Sequence, residues 1–260
     1  MSTKHPATPD DSSMSLMAHL VELRNRLLKV AIAVALAAVI GWFLFDPVFK
    51  ALTHPIIDLC KHHECLLEGG KLQNIDPLDP LTTRIKLSVY IGIGIAMPII
   101  LWQLWRFVAP ALYANERKYT IAFIGPALLL FVSGAALAYF VLPVSLNWLQ
   151  GVGGSQFVAA YDSGKFVALI GWMMLAFGLA FEFPVVLVAL MAVGVLKPRT
   201  LIRNWRYAIA IIIVFAGVIT PTADPFTFLF MAGPMVVLYA LSVLIGILME
   251  RTRNRRSTTV

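Results

Sequence analysis

Six stretches of this chain are free, or nearly free, of charge for long enough to approach or exceed the thickness of a hydrocarbon layer, about 30 Å. They run from Val30 to Phe45, with Leu27 and Leu28 extending the first, then Leu87 to Trp105, Tyr119 to Leu142, Phe166 to Leu196 broken only by Glu182, Tyr207 to Ala223, and Pro225 to Met249. Only 35 of 260 side chains are charged, 21 basic and 14 acidic, and 59% are hydrophobic. A soluble domain carries about a quarter charged residues, so the chain reads as an all-α polytopic membrane protein with six transmembrane helices. Helices packed side by side in a bilayer form one bundle, so residues 1–260 are taken as a single membrane domain. Within it, 1–18 is a flexible tail, 19–250 the six-span core and 251–260 a basic tail. The segment before the first run lacks the clustered basic start of a cleaved secretory signal, so that run is expected to remain as a span.

Six crossings put both termini on one side, and that side collects 15 of the 21 cations, among them Arg24, Arg26, Lys29, Arg106, Lys197, Arg199 and Arg251. The positive-inside rule therefore predicts cytoplasmic termini. It also accounts for the net charge of +7 without nucleic acid as a partner. Trp102, Trp105 and Trp205 fall at the inner interface, as an aromatic belt requires.

The outer loop from Asp46 to Leu81 carries Pro55, Pro77, Pro80 and Gly69-Gly70, enough for a small extracytoplasmic cap whose elements no periodicity identifies. Pro98, Pro126, Pro184 and Pro234 lie inside spans, each removing a backbone donor, so kinked helices are expected. The fourth run, 31 residues or about 46 Å, must tilt, bend or protrude, whereas the fifth has 17 residues. Gly134 and Ala138 are spaced for close helix packing.

Several side chains can carry chemistry. A carboxylate at Glu182, within Phe-Glu-Phe-Pro, is expensive in hydrocarbon. It either bonds a neighbouring helix beside Pro184 or serves a polar cavity or proton path. Glu22 and Glu116 are among the few acids on a basic surface, and two carboxylates could bind two guanidinium groups. Taken singly, Glu22 is placed for an i,i+4 pair with Arg26, and Glu116 for the N-terminus of the third span. Asp224 either organises the turn between the last two spans or, with Thr220, contacts a partner helix. Cys60 and Cys65, in Cys-Lys-His-His-Glu-Cys, can pair, remain thiols, or ligate zinc with His62 and His63, and extracytoplasmic cysteines more often pair. No phosphate-binding loop, dinucleotide fingerprint or catalytic triad is present, so neither enzymatic activity nor a cofactor is expected.

His19-Leu20-Val21-Glu22-Leu23-Arg24-Asn25-Arg26-Leu27 resembles the N-terminal motif of the TatC family, the multispanning subunit of the twin-arginine protein translocase. Phe107-Val108-Ala109-Pro110-Ala111-Leu112-Tyr113 with Glu116-Arg117 resembles its second signature. Phe181-Glu182-Phe183-Pro184 is similar to its intramembrane glutamate motif, and Thr220-Pro221 with Asp224 supplies a fourth match. The resemblance implies a non-enzymatic receptor for twin-arginine signal peptides that exports folded proteins with single-span TatA-type and TatB-type partners, powered by the protonmotive force and assembling in several copies. By position it assigns Glu22, Glu116, Arg24 and Phe107 to signal-peptide binding. It places Glu182 in a concave groove of the bundle, with Thr220 and Asp224 at partner contacts, and matches Pro55 to an outer-loop proline. Three departures stand out: a longer step from Thr220-Pro221 to Asp224, Phe228 where a polar residue is common, and Ala240 where an acid is common. The Cys60 to Cys65 segment is not general to the family. From the residues alone, a proton-coupled small-solute transporter using Glu182 is the alternative.

Overall fold

The computed structural model describes residues 16–62, 65–66, 72–74, 76–108, 120–153, 159–192, 194–220, 222 and 224–257. Among these, five helices are long and apolar enough to cross a membrane: α1 (Leu16–Phe43), α3 (Asp79–Val108), α4 (Thr120–Gly153), α5 (Ser163–Ala192) and α8 (Pro225–Ser257). The fifth apolar run forms α7 (Trp205–Ile219), 15 residues or about 22 Å, short of the hydrocarbon thickness. It stops where the sequence must stop it. Thr220 is extended (ψ 118°), as a residue before proline prefers, and its hydroxyl donates back to the Ala216 carbonyl at 2.8 Å. The helix of the long fourth run stops at Ala192, and Gly194, with φ of +82°, lets the chain turn after α5 and seat Pro198 at the start of α6 (Pro198–Arg203).

The six apolar helices agree with the sequence expectation, and the prolines lie inside them as foreseen, joined by Pro143 in α4. The segment between α1 and α3 adds more order than the sequence revealed. Chain continuity through Leu44, whose N–H reaches the Ile40 carbonyl at 3.1 Å, starts α2 (Phe45–His62) directly after α1. Leu52 and Ile56 bury one face of α2 in the main core, and the Tyr139 hydroxyl of α4 donates to the Ala51 carbonyl at 2.9 Å. Pro55 sits inside α2. Arg84 of α3 braces the elbow: its guanidinium lies 4.8 Å from the Trp42 ring and 4.9 Å from the Phe45 ring, a cation–π arrangement that holds three helices at one point.

Two short parallel strands, β1 (Cys65–Leu66) and β2 (Ala159–Ala160), pair Cys65 with Ala159 and Leu66 with Ala160. Gln73 continues the connection by bridging to Asp162, with the Ser163 N–H donating to the Gln73 carbonyl at 2.9 Å. The connection between α2 and α3 and the connection between α4 and α5 are thus fastened to each other. Cys60 is disulfide-bonded, and Cys65, the second of the chain's two cysteines, opens β1.

α5 is the centre of the bundle, packed against α3, α4 and α8. Its neighbours approach its backbone closely: a methyl placed on Gly134 of α4 would lie 2.6 Å from the Phe177 carbonyl oxygen. That contact fulfils the small-residue packing read from Gly134 and Ala138, and Ala138 is fully buried. α1 lies outside this centre and packs along α3, where Gly41 meets Ser88 and Gly92 meets Ala38.

Candidate functional site

The residues singled out from sequence fall at three levels of the bundle. At the first level, α1 carries Glu22 and Arg24 before its apolar stretch. Leu20 to Leu28 continue the helix with no glycine or proline to break it, so Glu22 and Arg26 fall one turn apart on one side. The Arg26 guanidinium grips Glu22 Oε1, with Nε donating at 3.0 Å. The i,i+4 pair read from sequence is therefore formed. Arg24 points away from that pair and is exposed. Because α1 and α3 run antiparallel through the Gly41–Ser88 and Ala38–Gly92 contacts, continuing the same register brings Glu22 level with the Arg106–Val108 end of α3, where Phe107 lies. Glu116 lies outside the described residues, as does the Ala109–Tyr113 part of the second motif.

At the second level, α5 carries Glu182 into the interior. Gly171, Gly178, Glu182, Val185 and Ala189 recur at helical spacing along one face. Gly171 abuts Tyr90 of α3, Gly178 abuts Phe131 of α4, and Val185 and Ala189 join a cluster with Met97, Leu101 and Ala127. Glu182 therefore lies on the side of α5 that faces α3 and α4. It is 8% exposed and its Oε1 has no hydrogen-bond partner among the described residues, so the bond to a neighbouring helix considered from sequence is not made at that oxygen. Toward the N-terminal end of α5 from Glu182 the same face borders an apolar cavity of about 200 Å3, lined by Leu87, Tyr90, Phe131, Gly171 and Leu175. An acid beside apolar walls costs free energy. On the opposite side, the Pro184 carbonyl accepts from Ser242 Oγ of α8 at 3.3 Å, a polar contact that ties α5 to α8 beside the proline.

At the third level, Asp224 precedes α8 and caps it: Oδ1 accepts the Thr227 N–H at 2.7 Å. Asp224 is 4% exposed. Burial pushes its carboxyl upward, but the hydroxyls of Ser145, Thr222 and Thr227 and the Thr227 N–H surround it, outweigh that push and hold it below the usual aspartate range. The turn-organising role is what the geometry contains. Thr220 is half-buried and spends its hydroxyl on α7. Ser145 and Thr227 were missed from sequence. Asp-x-x-Thr before an apolar run was a legible capping signal for Thr227, whereas Ser145 reaches Asp224 only through tertiary packing. Nothing local in the sequence announces the two aromatic partners of Arg84.

Residues 18–234 match the family described as Sec-independent protein translocase protein (TatC), a span that contains all four motifs. The chain is 38% identical to the Sec-independent protein translocase protein TatC of Frankia casuarinae, over 97% of this chain and 71% of that one. It is 37% identical to that of Xylanimonas cellulosilytica, over 97% and 90%, and 36% identical to that of Aquifex aeolicus, over 93% and 98%. Two crystal structures of the twin-arginine translocase receptor TatC, one of them in DDM, superpose with TM-scores of 0.72 and 0.73 at 36% and 37% identity. Each covers 88% of this chain, and 98% and 99% of the solved chains are matched. Multiple apolar spans, the ordered motifs and these likenesses agree: the chain belongs to the TatC family and is a multi-pass membrane protein of the Sec-independent protein translocase.

Proposed function

We propose that this protein is the receptor subunit of a twin-arginine translocation system in the cytoplasmic membrane, with both termini in the cytoplasm. The observation that carries the reading is the family membership, joined to the placement of Glu22 ahead of the apolar stretch of α1, level with the Phe107 end of α3. A signal peptide's paired arginines engage Glu22 and Glu116. Arg26 holds Glu22 until a ligand arginine competes for it, and the bidentate guanidinium fork separates arginine from lysine, a point charge. Arg24 and Phe107 flank this surface. Single-span TatA-type and TatB-type subunits and further copies of the chain complete the translocase, with Glu182, Thr220 and Asp224 on the elements that couple to them. The protonmotive force supplies the energy. The family membership sets aside the small-solute transporter.

The test is binding of a fluorescent twin-arginine signal peptide to the purified full-length protein, with a twin-lysine peptide as competitor. Arginine-selective binding that disappears in Glu22→Ala/Glu116→Ala, while membrane insertion is unchanged, is the expected result. Equal binding of both peptides, or binding unaltered by the double substitution, rejects the carboxylate mechanism.

A further inference from the structure

Beside the α1–α3 contact lies an open groove of about 420 Å3 that the signal-peptide reading does not use. Its floor is made of small side chains, Ala33 and Ala37 of α1 and Ala96 of α3, the last two almost fully buried. Its walls are branched and exposed, as at Leu36 (65%) and Ile99 (47%). The residues lining it on α1 run from position 29 to position 40, roughly 16 Å of helix. A slot of about 420 Å3 along roughly 16 Å of helix offers apolar length for an acyl chain.

The end of the groove nearer Glu22 is closed by Lys29, which is exposed and forms no ion pair among the described residues. Its neighbour Arg26 is taken by Glu22. Among the described residues Lys29 is therefore an uncompensated cation at the mouth of an apolar slot, on a side chain able to reach the headgroup region. We propose that the groove is a site for one anionic phospholipid, with an acyl chain along Ala33, Ala37 and Ala96 and the phosphate at Lys29. The small floor residues set the depth of the seat. The ammonium sets the preference for net negative charge, because a zwitterionic headgroup carries its own cation beside the phosphate.

Native mass spectrometry of the detergent-purified full-length protein tests this, with phosphatidylglycerol and phosphatidylcholine of matched chains added in equal amounts. Wild type should retain phosphatidylglycerol about fivefold over phosphatidylcholine, the preference one basic side chain near the headgroups supplies. Lys29→Ala should bring the ratio close to one while Lys29→Arg keeps it, and Ala33→Phe, which fills the slot, should lower retention of both lipids. Lys29 is exposed and Ala33 only half-buried, so the variants keep the fold, and unchanged thermal unfolding verifies it. Equal retention of the two lipids by wild type, a preference that survives Lys29→Ala, or retention unmoved by Ala33→Phe overturns the proposal. So does efficient cross-linking of Ala33→Cys to a partner helix irrespective of the lipid present.

Discussion

α5 and α1 have nearly the same apolar character, with mean hydropathy of 2.2 and 2.0 over their most apolar stretches, yet 67% of that stretch is buried inside the protein in α5 and 11% in α1. In water such a pair would both be driven inward. In a bilayer the lipid tails are as apolar as the side chains, so hydropathy places a helix in the membrane and does not choose its neighbours. What separates the two helices is how many neighbours pack close against their backbones. α5 meets Tyr90 at Gly171, Phe131 at Gly178 and the facing Gly134 at Phe177, which fixes it against two other spans. α1 has close backbone approach to α3 alone and leaves Leu36, Val39 and Phe43 outside.

The sharpest way to break this comparison is to fill one glycine on each kind of surface. Gly134→Leu forces a side chain against the Phe177 carbonyl, a backbone atom that cannot step aside, and should cost about 3 kcal/mol or more or prevent folding. Gly94→Leu, with open space around it, should stay within about 0.5 kcal/mol of wild type. Thermal unfolding in detergent compares them, and equal effects would dissolve the distinction. Truncation gives the next largest difference. Phe177→Ala in α5 empties a fully buried site and should cost about 3 kcal/mol, against less than about 0.5 kcal/mol for Leu36→Ala in α1.

A smaller effect is expected at Asp224, where capping rather than packing is removed: Asp224→Ala should cost about 1 kcal/mol. Its lowered carboxyl gives the pH sign. The stabilisation is present above the ordinary aspartate value of about 4 and is lost as pH falls through the lower native-state value. The wild-type advantage over Asp224→Asn is therefore full at pH 7 and shrinks in strongly acid buffer; an advantage that grows with acid would contradict the account. The least stability change belongs to Glu182→Gln, which keeps size and burial and should unfold at or slightly above the wild-type temperature. Export of a twin-arginine reporter should nevertheless fall, marking Glu182 as the place where α5 serves something other than its own packing. Wild-type export in that variant would remove Glu182 from the mechanism.

The spans were legible because a bilayer imposes length and the absence of charge on each crossing, and both are local properties of the sequence. Gly134 was legible for a related reason, since a small residue at helical spacing has few other uses. α2 was not. Pro55 and the nearby glycines read as punctuation, yet proline in α2 sits in a helix whose Leu52 and Ile56 gain burial against the bundle, and tertiary packing outweighs the lost donor. The shortness of α7 was half legible, because Thr220-Pro221 announces a stop while the start at Trp205 follows a turn at Asn204 that no strong breaker marks. At the candidate site, the Glu22–Arg26 pair followed from spacing alone. The register that sets Glu22 opposite the Phe107 end of α3 depends on how two helices cross, information that lies between residues far apart in the chain.

The parallel pairing of Cys65–Leu66 with Ala159–Ala160 also carries a statement about time. Ala159 leaves the ribosome only after α3 and α4 have been made, so the two-stranded cap cannot close until both helices have crossed and returned the chain to the same face of the bilayer. A crossing that fails would strand the two edges on opposite sides of the membrane with their backbone groups unmet. The cap is thus a late seal on biogenesis, one that only a correctly threaded chain can fasten.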